Sequence, residues 1–159
     1  MTKKTNEKRI RAILFDFDGV LIDSLPAMKV GWNLVCKKYS LKKDFLDYSK
    51  FIGIPFNSIL LKLNIEEKLH QKINDDYFQV TNQKKNLVKM NPNVHEIIKW
   101  ASENFIKVGI VTSKNRQSSL SLIDFFQIKI DLLVTPDLTS KGKPNPEPIF
   151  LAAKKLEIS

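Results

Sequence analysis

The chain has 159 residues, 43% of them hydrophobic and 27% charged, which is the composition of a globular protein with one compact domain or a small domain that carries an insertion. No apolar run approaches the roughly 20 residues of a membrane-spanning helix, so we expect no membrane partner. The 26 Lys and Arg against 17 Asp and Glu give a net charge of +9, but nearly all the cations are scattered lysines, which argues against nucleic acid as a partner and for a solvated surface that attracts anionic substrates.

Residues 1–11 are basic and precede an apolar stretch, as in a secretory leader. Asp16 interrupts that stretch and no small-residue cleavage site follows, so we do not interpret it as a signal peptide. The single cysteine, Cys36, cannot form an internal disulfide and fits a reducing compartment. We therefore predict a cytoplasmic protein in which Cys36 is a small buried or half-buried residue rather than a nucleophile.

The first predicted strand is the apolar run Ala12 to Phe15, and acidic residues follow it immediately. Side chains alternate along a strand, so if the strand continues to Asp18, Asp16 and Asp18 should face one site while Phe17 points into the core. Gly19 then allows the backbone to turn sharply and to come close to a ligand.

Several kinds of site contain two aspartates at this spacing. A calcium loop counted from Asp16 is excluded, because its fifth, sixth and twelfth positions would be Val20, Leu21 and Ala27. A sugar-nucleotide site requires neither the apolar strand before the acids nor the Gly-Val-Leu-Ile-Asp-Ser sequence after them. A plain acidic turn remains open, beside a carboxylate nucleophile next to a metal with a second carboxylate for proton transfer.

The segment after this strand has helical periodicity throughout. Ser24 is predicted to cap a helix that tolerates Pro26 in its first turn and extends to Tyr39. Further amphipathic helices are predicted over residues 41–51, 57–63 and 66–84, with no strand before about residue 88. The turn at residues 53–56, Gly-Ile-Pro-Phe, separates two of these helices.

The rest of the chain alternates between predicted helices and strands. Helices are predicted over residues 94–104 and 116–126, and strands over 107–112 and 131–135. This alternation is typical of a right-handed parallel sheet with helices on its faces. Asp16, Asp18, Thr112 and Ser113 all follow the carboxyl ends of strands, which is where open parallel sheets bind ligands.

A stiff loop at residues 140–146 holds one more candidate. Pro146 suits the first position of the following helix with Asn145 as its cap, which places Lys143 just before a helix N-terminus. A fixed cation there would favour phosphate. The alternative is a surface lysine in a turn.

Phe-Asp-Phe-Asp-Gly-Val-Leu-Ile-Asp-Ser, residues 15–24, resembles the first motif of the haloacid dehalogenase superfamily of aspartate-nucleophile phosphatases and phosphomutases, in the branch of phosphoglycolate phosphatase and beta-phosphoglucomutase. Thr112 and Lys143 follow in the order of the second and third motifs. The resemblance implies an α/β fold with a Rossmann-like parallel sheet, flanking helices and an inserted helical cap. The core would comprise residues 1–24 and 89–159, incomplete at the C-terminus, and the cap residues 25–88.

The resemblance also implies a role for each matching residue. Asp16 would attack phosphorus, and Asp18 would protonate the leaving oxygen and later activate water. The carboxylate of Asp16 and the backbone carbonyl of Asp18 would bind Mg²⁺. The implied activity is that of a magnesium-dependent phosphatase acting on a small phosphorylated metabolite, with a phosphomutase as the alternative.

Four residues would bind the phosphate group by the same resemblance. Thr112, through its hydroxyl, and Ser113, through its amide, would hold the transferring phosphoryl group, and Lys143 would offset its charge. Gly19 would let the backbone approach the phosphate. The turn at residues 53–56 matches a Gly-x-Pro turn near the substrate in such caps, although an ordinary turn between helices remains equally open.

Other polar residues have structural interpretations. Asp23 is expected to fix its own loop by a local hydrogen bond, and Asp137 to be an acid in a turn. His70 and His95 lie in helical patterns without partner acids at ligand spacing, so we expect both at the surface.

The sequence departs from the family pattern at its end. A fourth motif, a strand with further acids that complete the magnesium site, should begin after the region of Leu156. Without it, we expect weaker magnesium binding and an exposed edge at the first strand. The chain would then be a fragment of a longer enzyme or a shortened protein with weak or no turnover. A remnant that binds phosphate compounds or a partner chain, with self-association through that edge, is the remaining alternative.

Overall fold

A computed structural model describes residues 9–158 of the chain. Within that range the chain forms five β-strands, seven α-helices and two short 3-10 helices, at Lys85–Leu87 and Pro136–Leu138. The strands are β1 Ala12–Phe15, β2 Ile22–Asp23, β3 Lys89–Met90, β4 Lys107–Val111 and β5 Leu132–Val134. The helices are α1 Leu25–Lys38, α2 Phe45–Ser49, α3 Phe56–Lys62, α4 Glu67–Gln83, α5 Val94–Glu103, α6 Arg116–Phe125 and α7 Glu147–Lys155. None of these helices is long and apolar enough to cross a bilayer.

The main sheet is parallel and has the strand order β1, β4, β5. Ile13 lies opposite Val108, and Gly109 lies opposite Leu132. Helices connect the strands, so the predicted α/β fold with a Rossmann-like parallel sheet is confirmed. The predicted strands at residues 107–112 and 131–135 are each slightly too long at their ends.

The sequence of β4 follows from its position in the middle of the main sheet. Val108, Ile110 and Val111 are all buried, which is the apolar, β-branched pattern of a strand covered on both faces. Gly109 interrupts the pattern because a Cβ there would lie 2.7 Å from Leu14 Cδ2 on the neighbouring strand. A larger residue at this position would therefore require the end of the Leu14 side chain to move.

Strand β1 lies at the edge of the main sheet. Among the described residues, β4 is its only strand neighbour, and its four residues are half-buried. The predicted exposed edge is therefore present in this structure. Self-association through that edge stays a prediction.

A second, two-stranded antiparallel sheet pairs β2 with β3, with Ile22 opposite Met90 and Asp23 opposite Lys89. The sequence does not predict this sheet, because strands of two residues are too short to show a periodicity. The pair joins the two points at which the chain enters and leaves the segment of residues 25–88. The β2–β3 pair therefore holds the two ends of this segment next to each other.

Residues 25–88 are helical, as predicted, and have their own hydrophobic cluster, which includes Trp32, Tyr48 and Tyr77. A separate cluster lies around the main sheet. The helix predicted over residues 41–51 is too long, because α2 begins only after Asp44, whose side chain and that of Asp47 form a capping box. The division of the chain into a core and a cap stays a prediction that these two clusters support.

Candidate active site

A small cavity of about 50 Å³ lies between the carboxyl end of the main sheet and the helices of residues 25–88. It lies there because β1 and β4 end side by side and the chain after each strand turns toward the helices. Five of the six predicted site residues line this cavity: Asp16, Asp18, Thr112, Ser113 and Lys143.

Asp16, directly after β1, forms an ion pair with Lys143. Its Oδ1 atom lies 2.7 Å from Lys143 Nζ and also accepts the Phe17 N–H at 2.7 Å. The Asp16 side chain is 36% exposed, and its second oxygen, Oδ2, has no hydrogen-bond or ion-pair partner among the described residues. One carboxylate oxygen is therefore fixed while the other is open to the cavity.

Asp18 is held by two side chains. Lys114 Nζ lies 2.9 and 3.2 Å from its two carboxylate oxygens, and Ser24 Oγ donates to Oδ1 at 2.5 Å. The side chains of Lys114 and Asp18 are only 11% and 15% exposed, so this pair is better shielded from water than Asp16 and Lys143. Lys114 is not among the predicted site residues, although its place two residues after Thr112 puts it at the same strand end.

The prediction that the Ser24 side chain caps α1 is wrong. Ser24 does occupy the position before the helix, but its hydroxyl makes no capping hydrogen bond and donates to Asp18 instead. Asp23 Oδ1 accepts the Leu25 N–H at 3.1 Å, which confirms Asp23 as a local hydrogen-bonding residue.

Thr112 and Ser113 present unused donors to the cavity. Thr112 Oγ1 accepts the Lys114 N–H at 3.1 Å, which leaves the hydroxyl hydrogen free to donate elsewhere. Ser113 Oγ donates to the carbonyl of Gly53 at 2.7 Å, while the Ser113 backbone N–H has no partner within residues 9–158. One hydroxyl and one amide hydrogen are therefore available to an anion.

Lys143 reaches the cavity from the loop before α7. Its Nζ also donates to the Val111 carbonyl at 3.3 Å, so the ammonium group is tied to the end of β4 as well as to Asp16. The predicted start of the helix is one residue early: α7 begins at Glu147, after Pro146.

Glu147 fixes this loop through its carboxylate. Both the Ser140 and the Lys141 backbone N–H groups donate to it at 2.9 Å. These hydrogen bonds, led by that of the Ser140 backbone, hold the pKa of Glu147 below its usual 4.5. A group whose pKa is lowered by folding stabilises the fold above its usual pKa and loses that contribution as the pH falls through the lowered value.

For the phosphatase activity that the family resemblance implies, we expect Glu147→Ala to lower the turnover number about tenfold without unfolding the protein, because Lys143 loses the loop geometry that aims it at Asp16. The measurement is phosphate release, with circular dichroism to verify the fold. Glu103→Ala is the matched control, since Glu103 ends α5 at the opposite end of the sheet. Equal losses in the two variants would contradict the positioning role.

Gly19 forms the sharp turn that the sequence predicts, with a φ of +81° that favours glycine. Its backbone N–H donates to the Ile22 carbonyl at 2.7 Å, and the residue does not line the cavity. The structure thus explains Gly19 by the turn, and its contact with phosphate stays a prediction.

The turn at residues 53–56 lies against the cavity. Gly53 and Ile54 line it, and the Gly53 carbonyl accepts the Ser113 hydroxyl. A Cβ on Gly142 would collide with the Pro55 ring, so the turn also packs directly on the loop that carries Lys143. Of the two open interpretations, this position favours a turn that borders the site.

A model of the haloacid dehalogenase-like hydrolases matches residues 13–159. The chain belongs to this family. Pyrophosphatase PpaX of Oceanobacillus iheyensis is 30% identical to it over 149 residues, which cover 92% of this chain and 69% of that protein. Phosphoglycolate phosphatase of Aquifex aeolicus is 28% identical over 157 residues, covering 94% of this chain and 70% of that protein.

A solved structure from Lactobacillus plantarum, named a putative phosphoglycolate phosphatase, has the same fold as this hydrolase. The TM-score is 0.83 at 22% identity, and the match covers 94% of this chain and 72% of that one. The predicted family and branch are thus confirmed. The matched region spans about 70% of the length of these relatives.

The candidate ligands for the metal that the family resemblance implies are oxygen atoms of Asp16 and Asp18. No group of three or more His, Cys, Asp or Glu that could hold a metal occurs within residues 9–158. Asp16 Oδ2 and the Asp18 carbonyl oxygen nevertheless have no hydrogen-bond partner in that range. Both residues lie in the segment that directly follows β1. Mg²⁺ commonly uses one or two protein oxygens, with water and phosphate as its other ligands. These two oxygen atoms are of the type that binds magnesium, and they would provide two protein ligands.

The remaining candidate residues of this hydrolase lie outside the cavity. His95 is exposed as predicted, whereas His70 is half-buried and hydrogen-bonded to a backbone carbonyl at 2.8 Å. Asp137 is an exposed acid in a 3-10 turn. Cys36 is half-buried, and burial raises the pKa of its thiol to about 11, which agrees with a structural role.

Proposed function

We propose that this chain is a magnesium-dependent phosphatase of small phosphorylated metabolites, which reacts through an aspartyl phosphate on Asp16. The observation that carries the proposal is the pair of aspartates beside one cavity, each held by its own lysine: Asp16 by Lys143 at 2.7 Å and Asp18 by Lys114 at 2.9 Å. Relatives named as phosphatases support the reaction class.

In the first step, Asp16 Oδ2 forms a bond to phosphorus while the bond between phosphorus and the ester oxygen breaks. Asp18, in its protonated form, gives its proton to that oxygen, so an alcohol leaves. The Thr112 hydroxyl and the Ser113 amide donate to the phosphoryl oxygens. Lys143 lies beside the nucleophile and offsets the negative charge that accumulates there.

In the second step, water attacks phosphorus and gives a proton to the Asp18 carboxylate, and the bond between Asp16 and phosphorus breaks. A bound Mg²⁺, held by the Asp16 carboxylate and the Asp18 carbonyl, would offset charge on the phosphoryl group and the nucleophile. The products are inorganic phosphate and the unmodified enzyme. A phosphomutase would differ only in returning the phosphoryl group to the retained alcohol instead of to water.

The test is to incubate the chain with ethyl phosphate, with and without Mg²⁺ and EDTA, and to measure inorganic phosphate. We expect release that requires the metal, and a phosphorylated peptide containing Asp16 in acid-quenched samples analysed by mass spectrometry. Circular dichroism in each buffer serves as the control for folding. A folded protein that neither releases phosphate nor becomes phosphorylated would overturn the proposal and favour the non-catalytic alternative.

A further inference from the structure

The wall of the cavity that faces the two aspartates is apolar and largely aromatic. It is formed by side chains of the helical segment, among them Met28, Tyr48, Phe56, Ile59, Tyr77 and Phe78. Every charged residue that lines the cavity in the described part of the chain comes from the opposite, sheet side: Asp16, Asp18, Lys114 and Lys143. The part of a substrate that projects away from Asp16 therefore meets a wall without charge.

Neither lysine of the cavity is free to bind a second anionic group. Lys143 is paired with Asp16 at 2.7 Å, and Lys114 contacts both oxygens of Asp18 within 3.2 Å. A carboxylate or second phosphate on the leaving group would lose its water without gaining a cation. The cavity is thus built to discriminate against such groups.

Two phenols provide the polar contact of this wall. Tyr48 Oη and Tyr77 Oη lie 2.9 Å apart, and each tyrosine is only 3% exposed. Two hydroxyls carry two hydrogens and the bond between them uses one, so the other is available to an acceptor. Neither phenol has a second hydrogen-bond partner within the described residues. Burial raises the pKa of both phenols, which keeps them neutral donors.

The aromatic side chains of the wall pack on one another. Phe56 stacks on Tyr77 with ring centroids 4.3 Å apart, and Trp32 stacks on Tyr48 at 4.7 Å. These stacked rings form a largely apolar surface that offers no charged partner to a leaving group.

We infer that the substrate is a phosphate monoester with an uncharged leaving group, which contacts the Tyr48–Tyr77 hydroxyl pair and the face of Phe56. This inference rests on the proposed phosphatase function and names the substrate class. It distinguishes this chain from enzymes that act on pyrophosphate or phosphoglycolate, whose leaving groups are anionic.

The test compares kcat/KM for 2-hydroxyethyl phosphate and phosphoglycolate, which differ mainly by a carboxylate in place of a hydroxymethyl group. We expect a preference of at least about tenfold for 2-hydroxyethyl phosphate. Ile54→Lys, at a half-buried position of the wall, should shift the ratio at least about tenfold toward phosphoglycolate. Ile97→Lys adds the same charge on the exposed face of α5 and should leave the ratio unchanged.

A binding measurement separates this inference from the proposed function. Trp100→Phe removes the exposed tryptophan, so that fluorescence reports on Trp32, which stacks on Tyr48. We expect ethylphosphonate to quench it at lower concentration than phosphonoacetate. If no ester is hydrolysed, the proposed function fails and this comparison alone decides the inference. Equal or weaker binding of ethylphosphonate, no binding of either probe, or faster hydrolysis of phosphoglycolate or pyrophosphate would overturn it.

Discussion

Asp16→Asn should lower phosphate release at least about 1,000-fold, because the amide that replaces the carboxylate is neutral and a poor nucleophile. The fold should survive. Asp16 is 36% exposed, and a pair so open to water contributes only up to about 1 kcal/mol to stability. Lys143 keeps its hydrogen bond to the Val111 carbonyl, so the cation stays close to its place. The measurements are the turnover number and the thermal unfolding midpoint.

The matched control for this prediction is Asp23→Asn, in the same motif. Asp23 accepts a backbone N–H of its own loop at 3.1 Å and does not line the cavity, and an asparagine side chain can still accept that hydrogen. Activity should therefore be unchanged in the control. If Asp16→Asn kept turnover within tenfold of the natural protein, the nucleophile would have to be another group.

The sequence predicted the sheet side of the site because strand chemistry is local. A buried parallel strand needs a run of apolar residues, and polar residues at its carboxyl end are therefore conspicuous. Asp16, Asp18 and Thr112 were found in this way, and all three line the cavity. Their catalytic roles come from the family resemblance and stay predictions.

Long-range contacts of side chains were the part that sequence could not predict. The bond of Lys114 to Asp18 joins residues 96 positions apart, and a lysine after a strand has no periodicity that separates it from surface lysines. The Tyr48–Tyr77 hydroxyl pair is likewise visible only once α2 and α4 pack together. Ser24 is a case in which the local sequence predicts the wrong partner. Its context predicts a helix cap, but its hydroxyl donates to Asp18 instead.

Phe17 joins the stability of the core to the geometry of the site. Its side chain is 0% exposed and belongs to the same buried cluster as Ile22 and Ile110, while the acids on either side of it face the cavity. Its carbonyl accepts the Leu21 and Ile22 N–H groups at 3.0 and 3.1 Å, so the backbone here also forms the turn after the strand. The buried ring thus anchors the segment that presents both carboxylates.

Phe17→Ala should therefore lower the free energy of unfolding by about 3–5 kcal/mol, since it removes a buried ring and leaves a cavity. That is a large part of the roughly 5–15 kcal/mol that stabilises a typical domain. Urea denaturation followed by circular dichroism measures the change. Phe17→Leu keeps most of the volume and should restore more than half of the loss, with part of the activity.

The control for this prediction is Phe150→Ala, because Phe150 is a 67% exposed phenylalanine on α7. It should change the free energy of unfolding by no more than about 0.5 kcal/mol. A change below about 1 kcal/mol in Phe17→Ala would mean that the ring is not a main contributor to the core. The alternation of side chains over residues 16–18, just after β1, would then fail to explain why the two acids face the cavity, because that explanation depends on Phe17 being held from the other side.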